Sequence, residues 1–166
     1  MKTTLFKSYC QQVQSGWFGV FFVALRTVLG LQFLMAGITK FGDWSAAGYL
    51  EYASGPFSEF FSSLAGLAWV DALNQWGLVL IGLALILGIA VRPASFFGVI
   101  LMVLYYLSDF DGNTAHGIID SHVIYTVIFL LFLGGGAGHV LGFDGMVRRL
   151  FHRKDKWQTG FLARRY

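Results

Sequence analysis

An all-α integral membrane protein, built as an up-down-up-down bundle of four transmembrane helices, is the fold class this sequence predicts. Three observations carry that expectation. Of the 166 residues, 56% are hydrophobic and only 13% are charged, against about 25% charged in an ordinary soluble domain. Four apolar runs are each long enough, at about 1.5 Å rise per residue, to cross a hydrocarbon core about 30 Å thick. The lysines and arginines also lie almost wholly on one side of those runs. Intrinsic disorder is excluded by 17 Phe, 5 Trp and 7 Tyr. A disulfide-stapled domain is excluded by a single cysteine, Cys10. Residues 1–166 read as one membrane domain.

The elements follow in order. The head places Leu5, Tyr9 and Val13 at four-residue spacing, the pattern of an interfacial helix. Span one covers 17–39 and is interrupted only by Arg26 and Gln32. Arg26 and the lack of an Ala-x-Ala site after the run argue for a retained helix rather than a signal peptide. Arg26, Gly30, Phe33, Gly37 and Lys40 share one stripe of that helix. The outer segment from Gly42 to Asp71 is too apolar for a free loop. Trp44, Tyr49, Leu50 and Tyr52 precede a break at Gly55-Pro56, and Phe57, Phe60, Phe61, Leu64 and Leu67 then recur at helical spacing. Such a face lies on the membrane surface or caps the bundle.

Span two covers 72–91, weakly at Asn74 and Gln75, with Gly77, Ala84 and Gly88 as a stripe that admits a neighbouring helix. Arg92-Pro93 reads as a minimal hairpin, with proline at a first helical position, leading into span three at 93–110 as an antiparallel neighbour. Span four covers 123–141 and ends in a glycine-rich stretch. The basic tail, 145–166, sets Val147, Leu150, Phe151, Trp157 and Phe161 in a second interfacial pattern.

Charge gives the orientation. Lys2, Lys7, Arg92 and seven tail residues fall on one side, and Lys40 alone on the other. Asp43, Glu51, Glu59, Asp71, Asp109, Asp111 and Asp120 all lie with Lys40. The positive-inside rule then puts both termini in the cytoplasm of a multi-pass cell-membrane protein. The basic tail suits anionic lipid rather than nucleic acid.

The stretch Arg26 to Phe41 (RTVLGLQFLMAGITKF) resembles the first-helix signature of the DoxX family. The Gly55–Phe57 GPF, the Gly82–Gly88 GLALILG followed by Arg92, and the Tyr105-Tyr106 pair are similar too. So are Asp120–Tyr125 (DSHVIY) and Gly136–Asp144 (GAGHVLGFD). The resemblance is to the broad group that includes the DoxD subunit of thiosulfate:quinone oxidoreductase. It implies a four-helix membrane protein and, for DoxD-like members, electron transfer from thiosulfate to quinone.

The residues allow more than one reading. Arg26 is costly inside a span, by about 2.5–3.5 kcal/mol at a helix centre. Either it snorkels to the inner headgroups, or it faces the bundle and donates to tyrosine, a backbone carbonyl or a quinone carbonyl. Lys40 is either a helix-end lysine paired with Asp43 or the cation that receives an anionic substrate such as thiosulfate. His122 either caps its helix with Asp120 or passes protons between a quinone headgroup and water. Tyr105, Tyr106 and Tyr125 either form an interfacial belt or turn inward to stack on a ring or bond its carbonyl. His122 and Lys40 are thus the catalytic candidates, with Arg26, Tyr106 and Tyr125 as the quinone-binding set.

Metal is not expected. His116, Asp120 and His122, with Asp109 and Asp111 nearby, match no zinc spacing and only a fragment of a calcium loop. His139 and His152 lie on the opposite side from His116 and His122, so haem is not expected either. The absence of a Cys-x-x-Cys excludes a dithiol. The leading expectation is a quinone-linked oxidoreductase or its membrane subunit, with the bilayer, a second oxidoreductase subunit and further copies of the chain as partners. The alternative is a non-enzymatic scaffold docking soluble redox or stress-response proteins on its basic inner face. A permease ranks lowest, with one intramembrane charge and no inverted repeat.

Overall fold

The computed structural model describes residues 17–115 and 117–135. The expected head and tail helices, Cys10, His116, His139, His152 and the end of span four lie outside them.

Among the described residues seven helices follow one another: α1 Trp17–Ile38, α2 Ala47–Leu50, α3 Ser58–Ser62, α4 Ala68–Leu87, α5 Val91–Ser108, α6 Phe110–Thr114 and α7 Ser121–Gly135. Three stretches, Gly19–Ile38, Ala68–Leu87 and Val91–Ser108, are long and apolar enough to cross a membrane. Val20, Phe21, Val28, Leu31 and Met35 on α1, and Trp76, Leu80, Phe96 and Phe97 on α4 and α5, are exposed. Such wide apolar surfaces are untenable in water and ordinary in lipid. The chain is a multi-pass membrane protein. The described part of α7 is 15 residues long, about 22 Å at helical rise.

Two boundaries differ from the sequence expectation. Span two begins at Ala68 rather than 72, because Val70 packs with Ala46, Leu50 and Phe61 and Asp71 is bonded by Ser45 and Ala46. Asn74 and Gln75, the weak positions of its start, are satisfied inside the bundle. Asn74 donates to the Val70 carbonyl at 2.9 Å and Gln75 to the Lys40 carbonyl at 2.8 Å. The turn into span three is not Arg92-Pro93. It is Gly88–Ala90, where Gly88 (φ 67°) and Ala90 (φ 51°) both take the left-handed conformation. Glycine adopts that conformation without steric cost and so ends α4. Pro93 then falls in the first turn of α5, where its missing N–H is harmless.

Close approach sets the packing. α1 lies antiparallel to α4, and a Cβ on Gly30 would stand 2.9 Å from the Gly82 carbonyl. One on Gly37 would stand 2.8 Å from the Val79 nitrogen. α5 packs comparably on α7, where Phe129 occupies the space over Gly98. The α4–α5 contact is lighter than either. Phe33 joins α1 to α7 through edge contacts with Phe129 and Tyr125, at 5.1 and 5.9 Å between centroids. These rings and Leu29, Leu78, Ile81, Leu85, Met102 and Phe132 form the main core. A second core, Ala46, Leu50, Phe61 and Val70, lies beneath the 42–71 segment.

Candidate functional site

The four long helices alternate in direction, so the end of α1, the start of α4, the end of α5 and the start of α7 meet at one end of the bundle. The 42–71 segment folds over that end. It is fastened at both margins. Asp71 accepts from Ser45 Oγ at 2.9 Å and from the Ala46 N–H at 2.7 Å, which holds the start of α2. At the other margin Ser54 Oγ donates to Asp109 at 2.9 Å and accepts from the Asp111 N–H at 3.0 Å, while the Ser54 N–H reaches the Ser108 carbonyl. Gly55 (φ 82°) lies so close to Phe110 that a Cβ would come within 2.6 Å of the phenylalanine Cβ. The GPF turn therefore requires its glycine.

Beneath this cover is a cavity of about 560 Å³. Its walls are largely apolar, with Leu50, Phe61, Trp69 and Leu104 among them, and its polar groups are few: Lys40, Tyr49, Asn74, Tyr105, Ser108 and His122. A mostly apolar hollow with a few convergent polar groups is the usual form of a small-molecule site.

Each polar group is held in place. The Lys40 ammonium lies over the Trp44 ring at 4.0 Å to the centroid, a cation–π contact. Burial holds its pKa below the ordinary lysine value. No Lys40–Asp43 pair is formed; the carboxylate contact at this end of the bundle is that of Asp120 with the His122 ring. His122 Nδ1 bonds to Asp120, which leaves Nε2 as the ring nitrogen that can meet a ligand. Burial pushes the Asp120 carboxyl up, but the Val123 N–H and the His122 contacts outweigh it, and the pKa falls below the ordinary carboxylate value. The Tyr105 ring stands edge-on to His122 at 5.9 Å, and its hydroxyl donates to Asn74 Oδ1. Burial raises the Tyr49 hydroxyl pKa, the bond to Ser108 opposes the rise, and Asp109 and Asp120 add to it.

Of the residues singled out by sequence, Lys40 and His122 are brought together here and the other three are not. Arg26 is buried, at 2% exposure, but lies twelve residues before the end of α1, which Lys40 follows, and so about 20 Å from that end of the bundle. Tyr106 points elsewhere: its hydroxyl donates to the Ile118 carbonyl at 3.0 Å and its ring packs on Phe110. Tyr125 packs against Phe33 and the main core. Its neighbour Tyr105 takes the place expected of Tyr106, and Asn74 was legible only as a weak start to span two. Successive helical residues point about 100° apart, so a Tyr-Tyr pair does not say which ring faces inward. No group of three His, Cys, Asp or Glu capable of holding a metal ion occurs among the described residues.

No curated protein and no solved structure matches the chain. The DoxX family model matches residues 21–108. That match takes in α1, the covering segment, α4 and α5, more than half the sequence, and so the chain belongs to the DoxX family.

Proposed function

We propose that the covered cavity is the site of a quinone-linked oxidoreductase, or of the membrane subunit of one, that passes electrons from thiosulfate to quinone. The observation that carries this reading is the meeting of Lys40 and His122 in one largely apolar cavity beneath the 42–71 segment. The residues suit a quinone: largely apolar walls for the ring, and N–H donors at Lys40 and at protonated His122 for its carbonyls. Oxidative joining of two thiosulfates through a new S–S bond releases two electrons, which a quinone takes up together with two protons.

The chain's own groups divide the remaining work. Lys40 supplies positive charge beside an otherwise acidic rim and draws the anion in. His122 exchanges protons through Nε2, while Asp120 orients the ring and stays bonded through either protonation state. Tyr105, fixed by Asn74, closes one wall. The reading also takes α7 as belonging to a fourth span, α2 and α3 as interfacial, and the cavity end as the outer side with both termini cytoplasmic.

Thiosulfate-dependent quinone reduction by the purified chain, followed across pH, tests the reading. A lysine attracts an anion only below its pKa, so substrate affinity falls as pH rises through that value. Burial lowers the value, so the fall comes at lower pH than for an exposed lysine. Lys40→Met should raise KM about tenfold or more and abolish that alkaline limb. His122→Gln should lower kcat about a hundredfold and reshape the neutral region. A parent chain without activity, or two variants that match it at every pH, would overturn the reading.

A further inference from the structure

A second hollow, about 540 Å³ in volume, runs between α4 and α5. Its lining has none of the covered cavity's polar side chains, being aliphatic and aromatic along its length. Leu73, Leu101 and Leu104 line both hollows. The groove adjoins the polar-ended cavity at these leucines and reaches Leu87, Ala90 and Pro93 at the far turn. From Leu73 to Leu87 it follows α4 for about 21 Å, most of a hydrocarbon core.

Glycine placement sets this groove apart from the helix contacts. At Gly30, Gly37 and Gly82 an added Cβ would strike the neighbouring helix, so those glycines exist for close packing. At Gly77 an added Cβ would meet nothing within 4 Å. The stripe of Gly77 and Ala84 therefore does not seat a helix, contrary to the sequence expectation. It leaves a channel open between two helices that touch only lightly.

We propose that this groove holds the apolar tail of the ligand whose head enters the covered cavity, which makes long-tailed, single-chain quinones the substrate class. The proposal rests on the quinone reading of the cavity. The three shared leucines place the groove directly beside the cavity, which is what favours a tail over a second copy of the chain: an amphiphile with its head in the cavity needs only to pass these side chains to lay its tail in the groove. Bulk lipid would cover the groove without selecting among ligands.

The test uses the full chain in nanodiscs, with quenching of the tryptophans that line the cavity, Trp44 and Trp69, as the signal. Two probes are titrated, a tail-free dimethoxy-methyl-benzoquinone and its decyl derivative, with membrane concentrations equalised from measured partitioning. Gly77→Phe puts a ring at a position where an added Cβ meets nothing within 4 Å, and a melting curve matching the parent's verifies its fold. The substitution should weaken the decyl probe about tenfold more than the tail-free probe. Equal effects on both probes, or none on the decyl probe, would overturn the tail groove and leave the quinone reading standing. A change of oligomeric state in Gly77→Phe would overturn it in favour of a contact between copies. No quenching of the parent by either probe would overturn the quinone reading and the groove with it.

Discussion

Gly82→Leu should force α1 away from α4 and destabilise the bundle severely. A Cβ at Gly82 would stand 2.5 Å from the Leu34 nitrogen and 2.8 Å from the Gly30 carbonyl oxygen and the Leu34 Cα. All three are backbone atoms of α1, so no rotamer change relieves the clash and the two helices must part. Overpacking of this kind costs about 1–3 kcal/mol for a single methyl and more for a larger side chain. Helix pairs in lipid have no hydrophobic drive to compensate, since their cohesion is close packing. Thermal unfolding in one detergent should place Gly82→Leu well below Gly82→Ala, and both below the parent. Gly48→Ala, whose added Cβ meets nothing within 4 Å, supplies the control. Equal melting for Gly82→Leu and the parent would mean that α1 and α4 do not meet at these glycines.

Arg26→Leu should also destabilise strongly, although leucine is the cheaper residue in hydrocarbon by about 3 kcal/mol. The sign depends on where the side chain lies. On the lipid face, the change would be neutral or favourable. Arg26 instead has 2% exposure, so removing the guanidinium leaves a void and takes away the interaction it makes inside the bundle. Losing one member of a buried charged arrangement costs about 3–5 kcal/mol. Arg26→Lys should recover part of the loss, since it keeps the charge without the planar fork. Unchanged melting of Arg26→Leu in detergent would place the residue at the surface.

Much of this was legible in the sequence because the signals were local or periodic. Hydropathy located α1, α4 and α5 to within four residues at their starts. The stripe of Arg26, Gly30, Phe33, Gly37 and Lys40 did turn one face inward, with Arg26 buried, both glycines against α4 and Phe33 in the main core. The grouping of Lys40 and His122 followed from counting helices, since alternating directions bring those ends together. What escaped were pairings between distant segments. Asn74 looks like a polar interruption until Tyr105, thirty-one residues away, is found bonded to it. Gly77 and Gly82 are equally small in sequence, yet one faces an open groove and the other a backbone. Helical period names the faces of a helix; only the assembled bundle says what each face meets.

Occupation of the cavity beneath the 42–71 segment by a quinone head is the claim on which the functional reading turns. A benzoquinone with a photoreactive group on its ring, irradiated with the full chain in nanodiscs and mapped by peptide mass spectrometry, tests it most directly. Label is expected in the 40–50, 60–74 and 101–108 stretches that line the cavity, displaced by excess unlabelled quinone. Label spread over outward positions such as Val28, Leu31 and Ile124, undiminished by competitor and absent from the cavity walls, would contradict it.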